Sequence, residues 1–125
     1  MEKVFVYGTL RKGFGNHSVM ARHEHKFIGQ GKTDDIFRLT ASGIPYVSKN
    51  NPVSQVVGEM YEVSKEVLEG PMDRLEGHPV FYKREKTPIT LDDGTKSEAW
   101  LYFCEGRENA TLIESGDYKN YSRIY

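Results

Sequence analysis

The sequence predicts an α+β domain built on a small, mostly antiparallel β-barrel with one or two flanking helices. Several short runs of β-branched and aromatic residues are separated by turn-forming residues, which is the pattern of a multi-stranded sheet rather than a helical bundle. Only one segment, the one that follows Ser64, carries a sustained helical spacing. A chain of 125 residues, 38% hydrophobic and 12% aromatic, supplies material for one core, so residues 1–125 read as a single domain.

Each element has its own signal. Lys3 to Tyr7 is continuously apolar after its lysine and is closed by Gly8, so it reads as a central strand buried on both faces. Asn16 stands where it would cap a short helix from His17 to Arg22. Phe27 to Leu39 reads as two or three strand-like pieces broken by Gly29 and Gly31. Further strands are expected from Ile44 to Ser48, Val53 to Val63, Phe81 to Leu91 and Ser97 to Cys104, and Asp92-Asp93-Gly94 between the last two is a hairpin signal.

In the helical segment Ser64 is the N-cap candidate, and Glu66 places a carboxylate at the positive end of the helix dipole. Leu68, Met72 and Leu75 recur on one face. Gly70-Pro71 interrupts the segment; a proline there lacks the N–H that the helix needs and predicts a kink or two short helices. Glu76 falls at the border of the apolar face, before the helix terminator Gly77, where burial and the negative helix end would both raise its pKa. It reads either as a carboxylate prepared to accept a proton near neutral pH or as a half-exposed helix-end residue paired with Arg74, Lys83 or Arg84.

Charge and composition exclude several classes. Lys and Arg total 17 against 18 Asp and Glu, so there is no basic excess for a nucleic-acid backbone, and no aromatic platform for bases is evident. No apolar segment resembles a signal peptide or a membrane span, so a soluble, cytoplasmic protein without a membrane partner is expected. His17, His23, His25 and His78 match no zinc spacing, and no metal site is expected. Cys104, in an apolar strand, reads as an inert thiol, and Arg11 and Lys12 read as solvated loop charges with the capacity to attract an acidic substrate. Ser115-Gly116-Asp117 is a turn by composition.

Five ordered stretches carry a resemblance that spans nearly the whole chain: Tyr7-Gly8-Thr9-Leu10-Arg11-Lys12-Gly13 with Asn16-His17, Gly58-Glu59-Met60-Tyr61, Asp73-Arg74-Leu75-Glu76-Gly77, Pro79-Val80-Phe81-Tyr82-Lys83-Arg84, and Ile113 to Tyr118. Together they resemble the γ-glutamylcyclotransferase-like family, and within it the γ-glutamylamine cyclotransferases and their small bacterial and phage relatives. The resemblance implies a small β-barrel with a cavity at its mouth, no cofactor, and release of 5-oxoproline from a small-molecule γ-glutamyl compound. It also implies that Glu76 is the catalytic glutamate and that Tyr7, Gly8, Thr9 and Leu10 form the substrate-binding loop.

The chemistry suits these residue types. A γ-glutamyl group cyclises when its own α-amine attacks its own γ-carbonyl, so the protein has to hold the chain folded, move protons and bind the oxyanion. Glu76 is the proton carrier expected, Gly8 the residue that lets backbone N–H groups approach the ligand, Tyr82 a side chain facing the cavity, and Arg84 a group that orients Glu76. Tyr7 is equally compatible with core packing, and Tyr82 and Arg84 with a structural role. The alternative for the whole chain is a non-catalytic module that binds a γ-glutamyl-like small acid on the same barrel.

Overall fold

A computed structural model describes residues 1–124, with side chains described through Tyr121; Tyr125, the last residue of the expected domain, lies outside the described residues. The strands are β1 (Glu2–Val6), β2 (His25–Thr33), β3 (Arg38–Ser42), β4 (Ile44–Ser48), β5 (Val57–Val63), β6 (Lys83–Leu91), β7 (Lys96–Phe103) and β8 (Thr111–Leu112). Five of them close into a barrel in the order β1-β5-β2-β6-β7, and β4-β3-β8 form a second, three-stranded sheet. The pairings are antiparallel except where β7 closes on β1, with Val4 opposite Trp100.

The unbroken apolar run of β1 follows from burial on both sides. Phe5 and Tyr7 pack in one cluster with Met60, Ile89, Ala99 and Leu101 from the other barrel strands, whereas Val4 and Val6 join Met20, Val67, Leu68 and Met72 under the helices. Val4 and Phe5 are both fully buried.

Phe27 to Leu39 holds two strand pieces, the end of β2 and the start of β3, but the break falls at residues 34–37 and not at Gly29 or Gly31. A Cβ on Gly31 would come within 2.5 Å of the Thr90 carbonyl oxygen, so this glycine allows close approach to β6. An irregularity in the pairing with β5 falls between Phe27 and Gly29. Val53 to Gln55 precede β5 instead of extending it, and Asp92-Asp93-Gly94 make the expected hairpin turn.

The helical segment after Ser64 is three pieces in one course: α2 (Lys65–Val67), a π turn (Leu68–Met72) and α3 (Asp73–Glu76). Ser64 caps it as expected, its Oγ accepting from the Val67 N–H at 3.1 Å. Pro71 lies inside the π turn, so the missing N–H is absorbed by a wider turn rather than by a break. The wider turn delays the inward face by about one residue. Leu75, expected in the core, is 40% exposed, while Asp73 is buried. Gly77, left-handed at φ 66°, ends α3.

Two further helices complete the chain. In α1 (His17–Ala21) Asn16 takes the cap position but makes no side-chain cap bond; its Nδ2 donates to Thr9 Oγ1 at 2.9 Å instead. The C-terminal α4 (Tyr118–Ile124) has no counterpart among the elements expected from the sequence.

Arg11 is the clearest reversal: it is fully buried, not solvated. Its Nε lies 3.5 Å from Glu59 Oε2 and its Nη1 donates to Asp117 Oδ1 at 2.8 Å, while Glu59 also accepts from the Lys12 N–H and the Tyr61 hydroxyl, each at 2.9 Å. This cluster ties the loop after β1 to β5 and to the start of α4. Arg11→Met would leave two carboxylates without their cation, at a cost of about 3–5 kcal/mol. Urea denaturation is expected to show that loss, with part of it recovered when Glu59→Gln is added.

Candidate functional site

A small pocket opens between the loop after β1, the end of α3 and the start of β4. Its volume is about 110 Å³, which suits a compact head group rather than a large ligand. Tyr7, Gly8, Thr9, Leu10, Glu76 and Tyr82, the residues singled out in the sequence, all line it. Asn16, Pro45, Phe81 and Tyr102 line it as well.

The carbonyls of the lining loop are occupied, whereas its N–H groups are not. The Gly8 carbonyl accepts from the Arg11 N–H at 3.0 Å, and the Thr9 carbonyl accepts from the Asn16 N–H at 3.1 Å. His17 holds the Leu10 carbonyl from Nδ1 at 2.8 Å. The N–H groups of Gly8, Thr9 and Leu10 have no protein acceptor among the described residues. Three neighbouring donors without acceptors are the elements from which an anion-binding concavity is built.

Packing also requires a glycine at position 8. A Cβ built on it would overlap Pro45 Cγ, so the space that a side chain would take belongs to the proline ring. Gly8→Ala is expected to cost about 1–3 kcal/mol by overpacking. A double-mutant cycle with Pro45→Ala should recover most of that loss in thermal or urea unfolding; additive losses would place the strain elsewhere.

Opposite the loop, the Glu76 carboxyl makes no hydrogen bond or ion pair with any described residue. None of Arg74, Lys83 and Arg84 pairs with it. Arg84 instead grips Asp73, with Nε 2.9 Å from Oδ1 and Nη2 3.1 Å from Oδ2. Burial first, and the Asp73 charge second, push the Glu76 carboxyl up to about 7.

Phenols complete the wall, and each has already donated its hydrogen. Tyr7 donates to the Tyr102 carbonyl at 2.7 Å, Tyr82 to the Pro45 carbonyl at 2.6 Å, and Tyr102 to Asp73 Oδ1 at 2.6 Å. Burial raises all three phenols, so they stay protonated and offer only lone pairs to a ligand. The pocket is therefore polarised, with donors on the loop and acceptors around Glu76. Cys104 is buried and its thiol is raised by that burial, in keeping with an inert role.

The family model described as gamma-glutamyl cyclotransferase, AIG2-like, matches residues 4–120. The chain belongs to this family. An AIG2-like gamma-glutamyl cyclotransferase fold is equally evident in solved structures: the crystal structure of an AIG2-like protein from Mus musculus superimposes with a TM-score of 0.80 at 30% identity, over 94% of this chain and 88% of that one. A Methanocaldococcus jannaschii protein provisionally named a gamma-glutamylcyclotransferase is 50% identical over 121 residues, 97% of this chain and 98% of the relative. The Mus musculus gamma-glutamylaminecyclotransferase is 38% identical over 119 residues, covering 82% of this chain and 77% of that protein. Among the described residues no helix is long and apolar enough to cross a membrane.

Tyr102 and Asn16 are among the pocket residues that sequence reasoning did not single out for the site, together with Ile44, Pro45, Leu75 and Phe81. Tyr102 lies opposite Arg84 in the β6–β7 ladder, a long-range pairing with no local signal. Asn16 had a signal, its place beside the loop motif, but it suggested a helix cap.

An unpaired carboxylate that must be ionised at high pH weakens the fold there. Because the folded-state pKa of about 7 lies above the ordinary value of 4.5, the folded form binds more protons between those values, and stability falls as pH rises through that window. Glu76→Gln removes the effect. It is expected to stabilise the protein at pH 8 by roughly 1–3 kcal/mol relative to its effect at pH 4, measured by urea denaturation at both pH values.

Proposed function

We propose that this chain is a cyclotransferase that releases 5-oxoproline and a free amine from a γ-glutamylamine or a related γ-glutamyl compound, with Glu76 as the general acid and base. The observation that carries the reading is the pairing, in one small pocket, of an unpartnered carboxylate with three free backbone donors.

The ionised Glu76 takes a proton from the substrate's α-ammonium, and the freed nitrogen attacks the γ-carbonyl carbon, closing the five-membered ring. The carbonyl electron pair moves onto oxygen, where loop N–H groups stabilise the oxyanion or hold the α-carboxylate. Collapse breaks the bond to the leaving nitrogen. Across the reaction the attacking nitrogen gives up two protons and the leaving nitrogen gains two, so the product amine departs as an ammonium. Glu76 stands between the two nitrogens as the group that accepts and returns them. Lone pairs of Tyr82 suit the α-ammonium before it is deprotonated.

A pKa of about 7 makes the carboxyl nearly as willing to release a proton as to take one at neutral pH. Holding the head group folded against the loop supplies the proximity that the intramolecular attack needs. The pocket mouth carries Ile44, Leu75 and Phe81, exposed by 39%, 40% and 42%. An apolar mouth favours a leaving amine with an aliphatic stem over a strongly hydrated one.

The test is 5-oxoproline release from a panel of γ-glutamylamines and γ-glutamyl dipeptides. Wild type is expected to turn over at least one γ-glutamylamine, and Glu76→Gln to lower kcat by about 100-fold or more while the ligand still binds. Binding of the panel without release by wild type, or near-normal turnover by Glu76→Gln, would favour the binding-module reading.

A further inference from the structure

Arg84 stands on β6 beside the helix that carries Glu76, and a guanidinium that reached Glu76 would hold it ionised and take away its capacity to exchange a proton near neutral pH. Arg84 is restrained on two sides instead. Asp73 receives its fork at 2.9 and 3.1 Å, and the Trp100 ring lies 4.4 Å from its guanidinium carbon. Asp73 is buried, and its Oδ1 also accepts from the Tyr102 hydroxyl at 2.6 Å, so a pocket-lining phenol fixes the same carboxylate that fixes the arginine.

We propose that Asp73 is a positioning residue for Glu76: together with Tyr102 it locks the Arg84 guanidinium in place and keeps that cation off the pocket carboxylate. The proposal rests on the reading of Glu76 as the proton carrier, although its test does not require turnover.

The groups that face Glu76 are Asp73 from its own helix, Tyr7 after β1, Tyr82 before β6, Tyr102 on β7 and Cys104 after it. Burial keeps the phenols and the thiol neutral, which leaves Asp73 as the formal charge among them. Arg84 and His78 act on Asp73. Asp73 and Glu76 stand three residues apart on one face of α3, Asp73 buried and Glu76 on the pocket wall.

Glu76 can be followed directly by 13C NMR of its side-chain carboxyl, assigned by loss of the signal in Glu76→Gln. In Asp73→Asn the repelling charge is gone and Arg84 is released, so the Glu76 midpoint is expected to fall by about one pH unit or more. In Arg84→Met there is no cation to release and Asp73 stays, so the midpoint is expected to hold or rise. A purely structural role for Asp73 predicts that both variants loosen the site alike and shift the midpoint in the same direction. An unmoved midpoint in folded Asp73→Asn, or a fall in Arg84→Met, would overturn the proposal; the second arm decides it should Asp73→Asn fail to fold. Absent 5-oxoproline release alongside the expected midpoints would sink the cyclotransferase reading and leave the role of Asp73 standing.

Discussion

A carboxylate taken out of water has to be paired or carry a proton, and the end of α3 has two acidic residues competing for one arginine. Asp73 receives both Arg84 contacts and the Tyr102 hydroxyl; Glu76, one turn further on, receives neither. The division depends on position along the helix. Asp73 and Glu76 both follow Pro71 in α3, three residues apart, and so lie on one helix face. The pocket's reactive group is thus a product of what its neighbour takes away.

The other half of the pocket depends on the barrel. β1 is sandwiched between the barrel interior and the helices, so its end is fixed in place, and the loop that leaves it is anchored by the buried Arg11 between Glu59 and Asp117. With the loop carbonyls turned to Arg11, Asn16 and His17, its N–H groups are the ones left for a ligand. Pro45 fills the space beside Gly8 and fixes the distance between loop and β4. A rigid donor edge and an uncompensated acid are held at opposite sides of one cavity by different parts of the fold, which is the preorganisation that charge stabilisation requires.

Much of this was legible in the chain. The continuous apolar run of β1, the Ser64 cap, the hairpin at Asp92-Asp93-Gly94 and the border position of Glu76 are local patterns, and local patterns survive into the fold. Features set by distant partners were not legible. Arg11 looked like a loop cation because its carboxylates, Glu59 and Asp117, are 48 and 106 residues away in sequence. Arg84 looked like a partner for Glu76 because both are near in sequence, yet Asp73 is reached first once the π turn rotates it inward. Gly31 looked like a strand breaker because the close approach of β6 cannot be read from one strand alone. Leu75 changed sides through the same π turn that placed Glu76.

The central claim is that Glu76 and the N–H groups of Gly8, Thr9 and Leu10 are the two ends of one γ-glutamyl head-group site. A crystal structure of the protein with bound 5-oxoproline tests it most directly. The ring nitrogen is expected within hydrogen-bond distance of the Glu76 carboxyl, with a carboxylate or lactam oxygen accepting from at least one of the three loop N–H groups. A ligand bound in the reverse sense, with its nitrogen away from Glu76, or one seated without contact to the loop, would contradict the account.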